Sequence, residues 1–134
     1  MKNDKKILIL EQDGLVALDL KRELEKEGFT VKRANSMVVS EIIIASGNKD
    51  LVIANTNVQT QPFFDKIKNL LKKCQLPLIW IGTLSNNEAM KESEGINVIG
   101  TFSKPFKSKD VVSFIVNYFN KKIKPLLFKK ENCE

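Results

Sequence analysis

The sequence predicts a three-layer α/β fold, a parallel five-stranded sheet flanked by five helices. Short apolar runs alternate with amphipathic segments along the chain, the pattern of strands joined by crossover helices. The run Leu51-Val52-Ile53-Ala54 has no polar interruption, as a strand covered on both faces requires. Capping and turn residues stand between the runs, so each segment has a start and a stop.

The first strand is expected over Lys6 to Leu10, followed by a helix from Gly14 to Glu27. Asp13 is its N-cap, Val16, Leu20 and Leu24 share a face, and Gly28 ends it. Thr30 to Ala34 reads as the second strand, and its Lys32 and Arg33 place it at a sheet edge. The second helix starts near Ser36. Met37, Val38, Val39, Ile42, Ile43, Ile44 and Ala45 spread around its circumference, and Glu41 is its only charge. Either neighbouring segments cover this surface or a partner does, because exposed contiguous apolar patches tend to mark interfaces.

The central strand runs from Leu51 and is followed by Asn55, and no side chain between Leu51 and Phe64 is ionisable. An amide therefore stands where the strand ends. Pro62 suits the first turn of helix three, with Phe63, Ile67, Leu70 and Cys74 inward and Lys66, Lys68, Lys72 and Lys73 solvated. Leu76 to Ile81 is the fourth strand, and Trp80 is assigned to packing. Ser85 to Glu88 forms a capping box for a short helix that Gly95 ends; Ile96 to Ile99 is the last strand. Lys104-Pro105-Phe106 leads into a helix from about Lys109 to Lys121. Residues 1–121 are expected to form the domain and 122–134 a basic, frayed tail.

A chain of 134 residues that is 43% hydrophobic is long enough to bury a core unaided. Cys74 and Cys133 make no disulfide framework and are expected as thiols. With no histidine, a Cys/His zinc site, Ser-His-Asp or Cys-His catalysis and a phosphohistidine relay within the chain are excluded. The opening MKNDKKILILEQD has too short an apolar run for a signal peptide or membrane span, so a cytoplasmic protein without a membrane partner is expected. The net charge of +6 is spread along the chain, which suits solubility better than nucleic-acid binding.

In an open parallel sheet, ligands bind beyond the carboxyl ends of the strands. Those ends carry Glu11-Gln12-Asp13, Asn55-Thr56-Asn57, Gly82-Thr83 and, after the last strand, Lys104. With this set, residues 5–121 resemble the receiver domain of two-component response regulators. ILILEQD is similar to the first strand with its acidic cluster, and DLVIANTNV to the segment bearing the phosphoacceptor. LPLIWIGTLS and GTFSKPF are similar to the fourth strand and the lysine-proline loop. The resemblance implies a flavodoxin-like sheet in the order 2-1-3-4-5 and a role in phosphorelay signalling.

The chain departs from the pattern where the chemistry lies. Asn55 occupies the phosphoacceptor position, and an amide does not attack phosphorus as a carboxylate does. Gln12 replaces a magnesium-ligating acid, and Gly82 stands where a Thr or Ser hydroxyl would bind the phosphoryl group, with Thr83 one position late. Thr101 replaces the aromatic switch residue. Only Glu11 and Lys104 keep their chemistry, in a pocket that also takes in Asp13 and Asn57.

The expectation is a degenerate receiver that is not an enzyme and acts as a phosphorylation-independent interaction module. Its partner would be a signalling protein, a histidine kinase or an output protein, and homodimerisation is open to it. No Mg²⁺ or other cofactor is expected; Glu11 and Asp13 are the only metal candidates. One rival reading uses Asp13 as substitute phosphoacceptor, and another is a basic nucleic-acid-binding accessory. Lys104 is expected to pair with Glu11 while the amides satisfy one another.

Overall fold

A computed structural model describes residues 4–60, 62–83, 91 and 93–121. Five parallel strands form one sheet in the order β2-β1-β3-β4-β5: β1 (Lys6–Leu10), β2 (Thr30–Ala34), β3 (Leu51–Asn55), β4 (Leu78–Gly82) and β5 (Val98–Ser103). The edge position expected for β2 follows from its residues, since Lys32 and Arg33 are exposed. Every residue of β3 and β4 is buried, as central strands between two helical layers must be.

Strand residues alternate between the two faces, and the core divides accordingly. Leu8, Leu10, Val52, Ala54, Leu78 and Trp80 face one helical layer, while Ile7, Ile9, Leu51, Ile53, Ile79 and Ile81 face the other. The first layer holds α2 (Met37–Ala45) and α3 (Phe64–Cys74); the second holds α1 (Gly14–Lys26) and α4 (Ser108–Lys121). Trp80 packs as expected, 6.4 Å from the Phe64 ring, and its indole N–H donates to Ser93 Oγ at 2.8 Å. Asp13 caps α1 as predicted, accepting from the Leu15 and Val16 N–H groups at 3.0 and 3.3 Å. Ser36 Oγ accepts from Val39 N–H at 3.1 Å and caps α2. Ser108 Oγ donates to Asp19 Oδ2, which ties the start of α4 to α1.

Several expectations are corrected. The described residues contain four α-helices rather than five, plus a 3-10 turn at Thr56–Thr60; the capping box at Ser85 lies outside the described residues. Helix α3 begins at Phe64, not at Pro62. Phe63 takes a left-handed conformation with φ 72° that starts the helix two residues later, so Phe64, Ile67, Leu71 and Cys74 are buried and Phe63 is 47% exposed. Strand β5 starts at Val98 and continues to Ser103; its exposed and half-buried residues give little apolar signal in the sequence. Cys74 is disulfide-bonded, against the expectation of a thiol, and its partner lies outside the described residues. The tail at 122–134 also lies outside them. No helix among the described residues is long and apolar enough to cross a membrane.

Candidate functional site

Because the sheet is parallel, β1, β3, β4 and β5 all end at one edge, where Leu10, Asn55, Gly82 and Ser103 are the last strand residues. Glu11 follows β1 directly and is only 3% exposed. A buried carboxylate is costly unless it is paired and hydrogen-bonded, and Glu11 is both. Its Oε1 lies 3.2 Å from Lys104 Nζ, which the loop after β5 brings in from the side. Its Oε2 accepts the Asp13 backbone N–H at 3.1 Å.

Asn55, 4% exposed at the end of β3, completes the cluster. Its Nδ2 donates to both Glu11 carboxylate oxygens at 3.0 Å, and its Oδ1 accepts the Asn57 backbone N–H at 2.8 Å. Both ends of the carboxamide are thus engaged. The expected pairing of Lys104 with Glu11 is present, but Asn55 is satisfied by the carboxylate and by backbone rather than by another side-chain amide.

Gly82 closes the cluster from β4. Its φ is +119°, and a Cβ there would stand 3.0 Å from Asn55 Oδ1 and 3.2 Å from Thr56 Oγ1. A hydroxyl-bearing side chain there would have to push Asn55 and Thr56 back by a few tenths of an ångström, on a backbone that side chains rarely adopt. A hydroxyl does lie beside the site, but it belongs to Thr56, whose Oγ1 donates to the Thr83 carbonyl at 2.9 Å. The sequence reading noted Thr56 at the strand end without selecting it. Its place beside Gly82 depends on the pairing of β3 with β4.

The other predicted residues are not drawn in by their side chains. Gln12 is exposed, Thr83 is exposed, and Asn57 contributes its backbone N–H. Asp13 also contributes a backbone N–H, while its carboxylate faces the α1 terminus. Thr101 lies exposed in β5, opposite Trp80. One neighbour of the cluster was missed altogether: Arg33 on β2 donates Nε and Nη2 to the Glu11 carbonyl at 3.1 and 3.0 Å, and Nη2 also to the Gln12 carbonyl at 3.1 Å. The sequence signal at Arg33 was a charge on an edge strand, which says nothing of its reach across β1.

These residues do not suit Mg²⁺, which seeks near-octahedral oxygen ligands. Glu11 already accepts from Asn55 and Asp13 and pairs with Lys104, and the Asn55 group turned toward it is a donor. Among the described residues no three His, Cys, Asp or Glu side chains gather into a metal site.

No family model and no curated protein sequence matches the chain. Solved structures do match. A two-component response regulator from Clostridium difficile superposes with a TM-score of 0.77 at 16% identity, over 90% of this chain and 100% of that one. A CheY-like receiver domain protein from Methanospirillum hungatei JF-1 gives 0.77 at 19% identity, covering 91% and 98%. An orphan response regulator of H. pylori gives 0.72 at 16%, covering 87% and 98%. The fold is that of response-regulator receiver domains. The strand order β2-β1-β3-β4-β5 is the one this fold requires.

Proposed function

We infer that this receiver-fold chain is a protein-interaction module of a signalling pathway, cytoplasmic and not an enzyme, that works without phosphorylation at Asn55 and without Mg²⁺. The observation that carries this reading is the Asn55 carboxamide donating to both oxygens of Glu11. An amide nitrogen is no nucleophile toward phosphorus, and here it also takes up the carboxylate that would otherwise attract a cation. With Lys104 on the same carboxylate, the site is electrically balanced and its hydrogen bonds are made. Asp13 is a poor substitute acceptor, because its carboxylate is committed to capping α1.

The test is incubation with acetyl phosphate and Mg²⁺, with modification mapped by mass spectrometry, beside thermal melts in EDTA, in Mg²⁺ and in Mg²⁺ with beryllofluoride. A ligand of the folded state present at 100 times its Kd adds about 2.7 kcal/mol, a shift of several degrees for a domain of this size. No aspartyl label and superimposed melts are expected. A label on Asp13, or a magnesium-dependent rise in Tm, would overturn the reading.

A further inference from the structure

Helix α2 turns an uncharged apolar face to solvent. Val38, Val39 and Ile42 are 47%, 43% and 66% exposed, whereas Ser40 and Ile44 on the opposite side are buried. A helix on the outside of a folded domain ordinarily carries charged and polar residues there. Here Val38, Val39 and Ile42 stand there instead, and the half-buried Glu41 on the flank is the helix's one charge.

Helix α3 packs beside α2, and both run from the carboxyl edge of the sheet because each follows a parallel strand. Their first turns therefore lie at the same end of the layer, Phe63 on one helix and Val38 and Val39 on the other. Phe63 is 47% exposed in a left-handed conformation with φ 72° and no side-chain cap. For a bulky side chain that conformation is strained, and strain of this kind collects at ligand clamps and binding surfaces. Lys66 extends over the Phe63 ring, 5.1 Å from its centroid. Lys73, seven residues on, shares the Lys66 face. Lys72 lies on another flank, its stem 3.2 Å from a Cβ built at Gly95, on the side toward β5 and away from α2.

We propose that Val38, Val39, Ile42 and Phe63, edged by Lys66 and Lys73, form the docking surface for an acidic amphipathic helix of a partner protein. This deepens the interaction-module reading and rests on it. The apolar stripe suits residues spaced i, i+3, i+4 and i+7 on one face of a bound helix, and the lysines suit carboxylates flanking that seam. A second copy of the chain fits less well, because a chain of net charge +6 would bring like charges together around the apolar centre.

The full ¹⁵N-labelled chain is titrated with a synthetic helical peptide of about five turns carrying a leucine seam and glutamate flanks, and separately with the same seam and lysine flanks. The glutamate peptide is expected to shift the amides of Val38, Val39, Ile42, Phe63 and Lys66 and to bind about tenfold or more tightly than the lysine peptide. Ile42→Ser, Val38→Ser and Lys66→Glu each weaken that binding, and the first two exchange side chains exposed enough for folding to survive. Equal affinity for the two peptides overturns the proposal, as do shifts confined to α1 or α4. So does a dimer in sedimentation that Ile42→Ser abolishes, or adsorption to phosphatidylserine vesicles without peptide binding. Repeating the titration with Mg²⁺ and beryllofluoride separates the two readings. A response at Asn55 sinks phosphorylation-independence and leaves the surface standing, whereas loss of peptide binding alone sinks only the surface.

Discussion

A side-chain carbon on Gly82 would stand 3.0 Å from the carboxamide oxygen of Asn55, on a backbone whose φ of +119° side chains rarely adopt. The hydroxyl of the receiver pattern is thus not merely missing; the local backbone and the Asn55 amide both disfavour the side chain that would carry it. Gly82→Thr is expected to lower stability by about 1–3 kcal/mol from backbone strain, toward the upper end because the residue is β-branched. In an Asn55→Ala background the added cost should be smaller, since the nearest oxygen is gone while the strain remains. Urea unfolding of the four proteins of this cycle measures both effects. A Gly82→Thr variant as stable as its parent would show that β4 ends in a different conformation.

Arg33 holds the turn that carries Glu11. Its Nε and Nη2 reach the Glu11 and Gln12 carbonyls, a forked grip that an ammonium does not reproduce. Arg33→Lys and Arg33→Ala should both lose about 1 kcal/mol, below the usual range for charge-assisted bonds, because the guanidinium is partly solvated. Amide exchange at Gln12 and Asp13 should rise more than exchange in β3. Uniform loss of protection across the sheet would mean that the arginine supports the edge strand rather than the turn.

Lys49 gives the fold a pH dependence on its alkaline side. Burial first, then the charges of Lys6 and Lys32, lower its pKa from the ordinary 10.5, while Asp50 acts in the opposite sense. A lysine with a depressed folded pKa binds its proton more weakly in the folded state than in the unfolded one. Stability therefore rises with pH between the folded value and 10.5, and at neutral pH the penalty is fully present. Lys49→Gln should stabilise the protein at pH 7 by at most about 0.5 kcal/mol, because the site is partly exposed and screened. The gain should shrink in high salt and vanish above the ordinary lysine range. A loss of stability at pH 7 would show that the Asp50 attraction outweighs burial.

What could be read in advance follows from where the information resides. Leu51 to Ala54 and Leu78 to Ile81 are buried on both faces, so their composition alone marks them as central strands. Lys32 and Arg33 mark an edge for the converse reason. The inward phenylalanine of α3 was misplaced by one residue because Phe63 and Phe64 are chemically alike, and only the left-handed turn at Phe63 decides which of them is buried. Glu11, Asn55 and Lys104 could be brought together because they stand at the carboxyl ends of β1, β3 and β5, along one edge of the sheet. The positive φ of Gly82, the part of Thr56 and the reach of Arg33 arise from contacts between strands distant in sequence, and no local pattern encodes them.

The last prediction concerns the amide itself. Asn55→Asp replaces a donor 3.0 Å from both Glu11 oxygens with a second carboxylate, in a place where both residues are nearly inaccessible to water. Like charges at 4 Å repel by about 4 kcal/mol at an effective dielectric of about 20, and Lys104 offsets part of this. The variant should therefore be less stable than its parent by about 2–4 kcal/mol at pH 7. The sign with pH follows from the pair. Two adjacent carboxylates hold one proton more tightly when folded than when unfolded, so the folded state binds more protons and the penalty fades as pH falls through the carboxylate range. Urea midpoints of both proteins at neutral and acid pH should converge on the acid side. Acetyl phosphate should still fail to label the variant, because Gln12 supplies no metal-binding acid and Gly82 no hydroxyl to assist the transfer. If the variant matches its parent at pH 7 in EDTA, Lys104 balances both carboxylates by itself. If it matches only in Mg²⁺, the site keeps a cation-binding geometry that the amide conceals.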